Sequence, residues 1–218
     1  MKRSVGLFAL ALLSVLASVA LRHGWADLLA FQGRALVNGW DKRPDAPGAP
    51  EWALAQARLE RAAELDPGDP GIAEDLGRLH ELRARAVAGA DIRAELGLAL
   101  GYFRRSLDRR PTSPYTWANL AFVKSRLGTL DAEFYRAIDT AASLGPWEPE
   151  VQLALAEVGV RYWDRLPEAT RRIIHAAIGR GLKRQDGKLF DLALAYGRMD
   201  VMCATPGVAR SKRAIRCI

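Results

Sequence analysis

Three kinds of side chain in this sequence could do chemistry: histidines, carboxylates and cysteines. His23, His80 and His175 lie far apart, with no second ligand at metal-site spacing, so they read as packing or surface residues. Glu133, Glu148, Glu150 and Glu157 are closer together, and a glycan-cleaving enzyme needs two carboxylates facing one bond. Helices rich in exposed Glu supply such pairs by chance. The chain has no G-x-S-x-G, no phosphate loop and no H-E-x-x-H. The reading is a protein with no catalytic residues, no cofactor and no metal. A glycan-binding module, or an enzyme that modifies a polysaccharide, is kept as the alternative.

The cysteines are the exception. Cys203 and Cys217 are the only two, and "ATPGVARSKRAIR" lies between them. Pro206 and Gly207 supply a turn that lets the chain fold back. A bridge here would close a loop of about 15 residues and contribute about 3 kcal/mol by the chain-entropy estimate. Two free thiols, or a bond from Cys217 to a second chain, are the alternatives. Two thiolates without a nearby His fall short of a structural zinc site.

A disulfide needs an oxidising compartment, and the N-terminus points to one. Lys2 and Arg3 precede Ser4 to Leu21, 18 residues without a charge. As a helix this stretch would be about 27 Å long, close to the roughly 30 Å hydrocarbon core of a bilayer. An uncleaved anchor is the favoured reading, with Arg22 and Trp25 at the interface. A secretory signal cleaved after Ser18-Val19-Ala20 is the other. Both leave Lys2 and Arg3 in the cytoplasm and the rest outside it, which for a bacterial chain means an inner-membrane anchor and a periplasmic domain.

Charge is unevenly spread. The net charge is +7, and residues 171–218 carry 8 Arg and 3 Lys against 3 Asp, so the rest of the chain is close to neutral. No aromatic residues interleave with these cations as a nucleic-acid platform would require, so nucleic acid is not an expected partner.

The elements that must position all these residues read as helices. Ala, Leu, Arg and Glu dominate after Glu51, and no alternating pattern suggests a strand. The spacing predicts helices near 51–65, 70–88, 91–109, 114–127, 130–144, 149–163, 167–182 and 186–196. A shorter amphipathic helix is expected over 23–40, with Trp25, Leu28, Leu29, Leu36 and Trp40 on its apolar side. "DKRPDAPGAPE", with Pro44, Pro47 and Pro50, reads as a semi-rigid spacer. Three Pro-x-x-Pro units recur: Pro67 with Pro70, Pro111 with Pro114, Pro146 with Pro149. The first proline of each stops one helix, and the second opens the next, where its missing N–H has no intrahelical partner anyway. Asp69 and Ser113 stand at the cap position before the second proline. Trp147 is expected to plug the gap between adjacent hairpins, with contact to a ligand as its other reading.

Helices paired by short joints suggest the tetratricopeptide pattern. Trp117, Leu120 and Ala121 stand at its W-L-G positions, and Gly128 closes that helix. Ala99, Phe103, Ser106 and Pro111 fit A-x3-F, small residue, proline. Ala55, Leu59, Ala62 and Pro67, then Ala73, Leu76, Gly77 and His80, make an earlier copy. Pro67 to Pro111 spans 44 residues, ten more than the ideal period, so the helices around Ala84–Leu98 must be lengthened or looped. The expected fold is all-α: tetratricopeptide-like stacked hairpins behind one N-terminal transmembrane helix. The expected divisions are an anchor at 1–22, a membrane-proximal helix and spacer at 23–50, repeats at 51–182 and a basic cap at 183–218. In such a stack the first helix of each hairpin lines a concave groove. Tyr115, Phe122 and Arg126 should line it, with Glu74 and Arg78 in the preceding copy.

"TWANLA", "LGPWEPEVQ" and "GRMDVMC", spread over roughly residues 95–203, resemble the VpsP family of polysaccharide-biosynthesis proteins. That resemblance implies a process rather than a reaction: a membrane-anchored, helical-repeat protein acting in exopolysaccharide synthesis or export. The implied partners are proteins of that machinery, with the polysaccharide itself a second candidate.

Overall fold

The computed structural model describes residues 2–40 and 47–217, so Pro44 lies outside the described residues. The helices are α1 (Lys2–Trp40), α2 (Ala49–Leu65), α3 (Pro70–Ala86), α4 (Ala90–Arg109), α5 (Pro114–Leu127), α6 (Ala132–Leu144), α7 (Pro149–Tyr162), α8 (Glu168–Ala195) and α9 (Met199–Cys203). Among the described residues there is no strand. Helices pair as antiparallel hairpins: the second half of α1 with α2, α3 with α4, α5 with α6, and α7 with α8.

The first of these hairpins departs from expectation. The apolar N-terminal segment and the helix expected over 23–40 are one unbroken helix of 39 residues. From Gly6 on, its N-terminal half is apolar and its described side chains are exposed, and among the described residues it is the one helix long and apolar enough to cross a membrane. Its second half buries Ala26, Ala30, Gly33, Val37 and Trp40, while Trp25 and Leu28 stay exposed. The buried face is the small-residue face because α2 comes in close. A Cβ on Gly33 would stand 2.6 Å from Cγ of Leu59.

The same knob recurs along the stack. A Cβ on Gly77 would meet the Phe103 ring at 2.6 Å, and one on Gly159 would run into Cγ2 of Ile174. Gly33, Gly77 and the buried Ala121 follow one another at 44 residues, as Leu59 and Phe103 do. The period that looked ten residues too long is therefore shared by two hairpins. Both are built with long helices: 17 residues in α2, and 17 and 20 in α3 and α4.

The joints follow the capping logic. The Asp69 carboxylate accepts from the amides of Gly71 at 2.6 Å and Ile72 at 3.0 Å, and Ser113 Oγ accepts from Thr116 N. Glu148 makes no such bond at the start of α7. Gly128 ends α5 with φ 74°, a left-handed conformation that suits glycine. The two helices expected at 167–182 and 186–196 are one element with a break at Gln185, whose φ is −141°. Its side-chain amide donates to Pro149 O at 2.8 Å and fastens the break to α7.

One polar knot joins neighbouring hairpins, and a second set of bonds fastens the C-terminal tail. Lys124, only 1% exposed, donates to Asp131 at 2.8 Å and to Glu133, which also takes both nitrogens of an Arg104 fork. Near the C-terminus Cys203 and Cys217 are bonded to each other. Asp191 pairs with Arg216 at 3.2 Å, and Ser211 Oγ donates to Asp186, so the basic tail lies along α8.

Candidate binding surface

The residues expected to line a groove separate into two sets. Phe122 is 8% exposed, with the Arg85 guanidinium 5.8 Å from its ring centre. Arg126 donates to Glu81 at 2.8 Å and to the carbonyl of Ala84 at 3.2 Å, tying α5 to the end of α3. Neither side chain lines a groove. Both face the interface between consecutive hairpins, because helix α5 turns that side toward α3 rather than toward solvent.

Tyr115 is exposed at the start of α5, and its hydroxyl donates to the Glu148 carboxylate across the joint to α7. That bond to a carboxylate, helped by desolvation, pushes the phenol up to about 12. Glu74 holds Arg110 at 2.6 Å and lies close enough to Tyr115 to bear on the same ionisation. Arg78 donates to Asn38 Oδ1 at 2.8 Å, toward α1. Glu74 and Tyr115 are thus brought together along one edge with Arg110 and Glu148, and Arg78 stands apart from them. The edge is polar and internally paired. It can present hydrogen-bonding groups to another protein.

Trp147 is not a plug. It is 60% exposed. The gap it was expected to fill is already closed, since Gly145 is buried and a Cβ there would stand 2.6 Å from Cβ of Pro114. The proline that opens α5 packs straight onto the glycine that ends α6. Trp147 instead lies beside α8, with the Arg180 guanidinium 5.8 Å and the Lys183 ammonium 6.0 Å from its ring centre.

The histidines each have local work. His80 pairs with Glu95 at 2.7 Å and stacks on Tyr102 at 5.4 Å, and His23 pairs with Asp66 at 2.7 Å. His175 lies against Trp163, and burial pulls its pKa below the usual value. Among the described residues no three His, Cys, Asp or Glu side chains converge as a metal site would need. A cleft between α2, α3 and α4, lined by Ala63, Asp66, Ile72 and Tyr102, holds about 10 Å³, room for one water.

Two features escaped the sequence reading. The first is the hairpin made by α1, whose signal was the 44-residue spacing from Gly33 to Gly77. The second is the pair of cations on Trp147, which come from α8 more than thirty residues away and leave no local signature. No protein-family model matches this chain, and no curated protein matches it.

Proposed function

We propose that this chain is a membrane-anchored scaffold whose hairpin stack, outside the cytoplasm, holds other proteins of an exopolysaccharide synthesis or export machinery. One observation carries the reading: the apolar half of α1 runs without a break into the first hairpin. The junction is fastened, since Arg22 Nε donates to Leu65 O at 2.6 Å and His23 pairs with Asp66. A stack of hairpins offers protein-binding surface along its length, and a rigid root would hold that surface at a set place above a bilayer. Lys2 and Arg3 favour a cytoplasmic N-terminus, and the Cys203–Cys217 bond suits an oxidising space such as the periplasm. The process comes from the likeness of "TWANLA", "LGPWEPEVQ" and "GRMDVMC" to the VpsP family; these lie on α5, the α6–α7 joint and α9.

The test is affinity capture of the full chain from membranes. Recovery of synthesis or export components is expected. Recovery of none of them, together with polymer cleavage by the purified protein, would replace the scaffold with an enzyme. Topology is checked by fusing a reporter active only outside the cytoplasm after Ile218, and the anchor by the mass of the mature N-terminus. A mature chain starting at Leu21 would make the segment a cleaved signal.

A further inference from the structure

The surface at the α6–α7 joint combines features that the scaffold does not use. Trp147 is large, apolar and mostly exposed, yet its backbone is held between Pro146 and Pro149. Arg180 is fixed as well, because its Nε donates to Pro146 O at 2.8 Å. That bond leaves the rest of the guanidinium facing the indole. Lys183 flanks the same ring, and Arg184 and Lys188 follow on α8. Among the described residues none of these four cations pairs with a carboxylate, although acidic side chains are plentiful elsewhere in the stack. The adjoining Glu148 is engaged by Tyr115.

We infer that Trp147, Arg180 and Lys183 form a binding site for an acidic saccharide, a chain bearing carboxylates on its sugar rings. The exposed indole offers a flat apolar surface for the C–H face of a pyranose ring. The fixed guanidinium and the free ammonium supply charge-assisted hydrogen bonds to a carboxylate on the same or the next sugar. An acidic peptide is the poorer fit. A cluster of Arg and Lys can take an acidic peptide through its carboxylates alone, which leaves the exposed indole face without a use, whereas a pyranose chain uses the indole and the cations together. The indole stands proud of the surface rather than at the foot of a pocket. The site is independent of the scaffold reading: the chain could hold its protein partners and bind no sugar, or the reverse.

The experiment uses the full chain in nanodiscs of neutral phosphatidylcholine, titrated with a hexamer of galacturonic acid and followed by calorimetry. Binding is expected, at least tenfold tighter than to the neutral maltohexaose. Trp147→Ala should weaken it at least tenfold. Lys183→Glu should weaken it at least fivefold and flatten its salt dependence. Both side chains are exposed, and an unchanged melting curve for each variant separates lost binding from lost fold. Absence of binding at millimolar hexamer, or equal binding by Trp147→Ala, overturns the site. Equal affinity for oligoglutamate with the same dependence on Trp147 also overturns it, and makes the surface a peptide site. Binding to anionic vesicles but not to the hexamer overturns it in favour of lipid.

Discussion

At the scale of single residues, burial decides which side chains matter to folding. Phe103 is fully buried against Gly77, so Phe103→Ala should cost about 3–5 kcal/mol, and Gly77→Ala should also destabilise by driving a methyl into that ring. Trp147→Ala should stay within about 0.5 kcal/mol of wild type, as substitutions of exposed residues usually do. Urea unfolding of the three variants checks the order. Glu133 carries a pH signature. The Arg104 fork, followed by Lys124, holds its carboxyl down at about 2, against 4.5 for a free glutamate. A group whose pKa is lowered by folding contributes stability above its unfolded pKa and loses that contribution as pH falls toward the folded one. Glu133→Gln should therefore destabilise by about 1–3 kcal/mol at neutral pH, where it strands buried Lys124 on Asp131 alone. Its gap to wild type should close between pH 4.5 and about 2. A gap independent of pH would mean that the charge at Glu133 contributes nothing.

At the scale of elements, the joints make a graded prediction. Asp69→Ala and Ser113→Ala each remove a cap and should cost about 0.5–2 kcal/mol, whereas Glu148→Ala removes no cap bond and should cost less. Pro149→Ala should be mild, about 0.4–1 kcal/mol, because a first-turn proline acts mainly on the unfolded chain. Thermal unfolding of the four variants gives the ranking. These joints are also where the sequence was most legible. Pro-x-x-Pro is a local code, reinforced by Asp or Ser before the second proline at two of the three joints, and helices begin at Pro70, Pro114 and Pro149 as that code requires. The code fails where geometry is set by a distant partner. Nothing local tells Phe122 and Arg126 that α3 will cover them, or Trp147 that Pro114 has already closed the gap. The first half of the first hairpin was hidden for another reason. Its inward face is mostly Ala, Gly and Val beside Trp40, and a search for large apolar side chains finds Trp40 but also picks Trp25 and Leu28, which face outward.

At the scale of the whole molecule, the Cys203–Cys217 bond closes a basic tail onto α8. Reducing it should destabilise the chain by about 3 kcal/mol, the loop-entropy value for about 15 residues, and speed tryptic cleavage at Arg210, Lys212 and Arg213. Digestion with and without reductant, read by mass spectrometry, checks both the bond and the fastening. At the other end, the join between α1 and α2 rests on the Arg22 bond to Leu65 O. Arg22→Ala should speed amide exchange at the end of α2 while leaving α5 to α8 unchanged. The unjointed α1 has a mechanical consequence. A helix of 39 residues is about 58 Å long, and with no hinge in it the first hairpin rides on a stiff mast. The charge-free stretch of about 27 Å has no length to spare against a hydrocarbon core of roughly 30 Å, so in a bilayer leaning would carry Arg22 toward hydrocarbon. If α1 spans a bilayer, such a mast would have little room to lean, and a thicker membrane would draw the stack toward the headgroups.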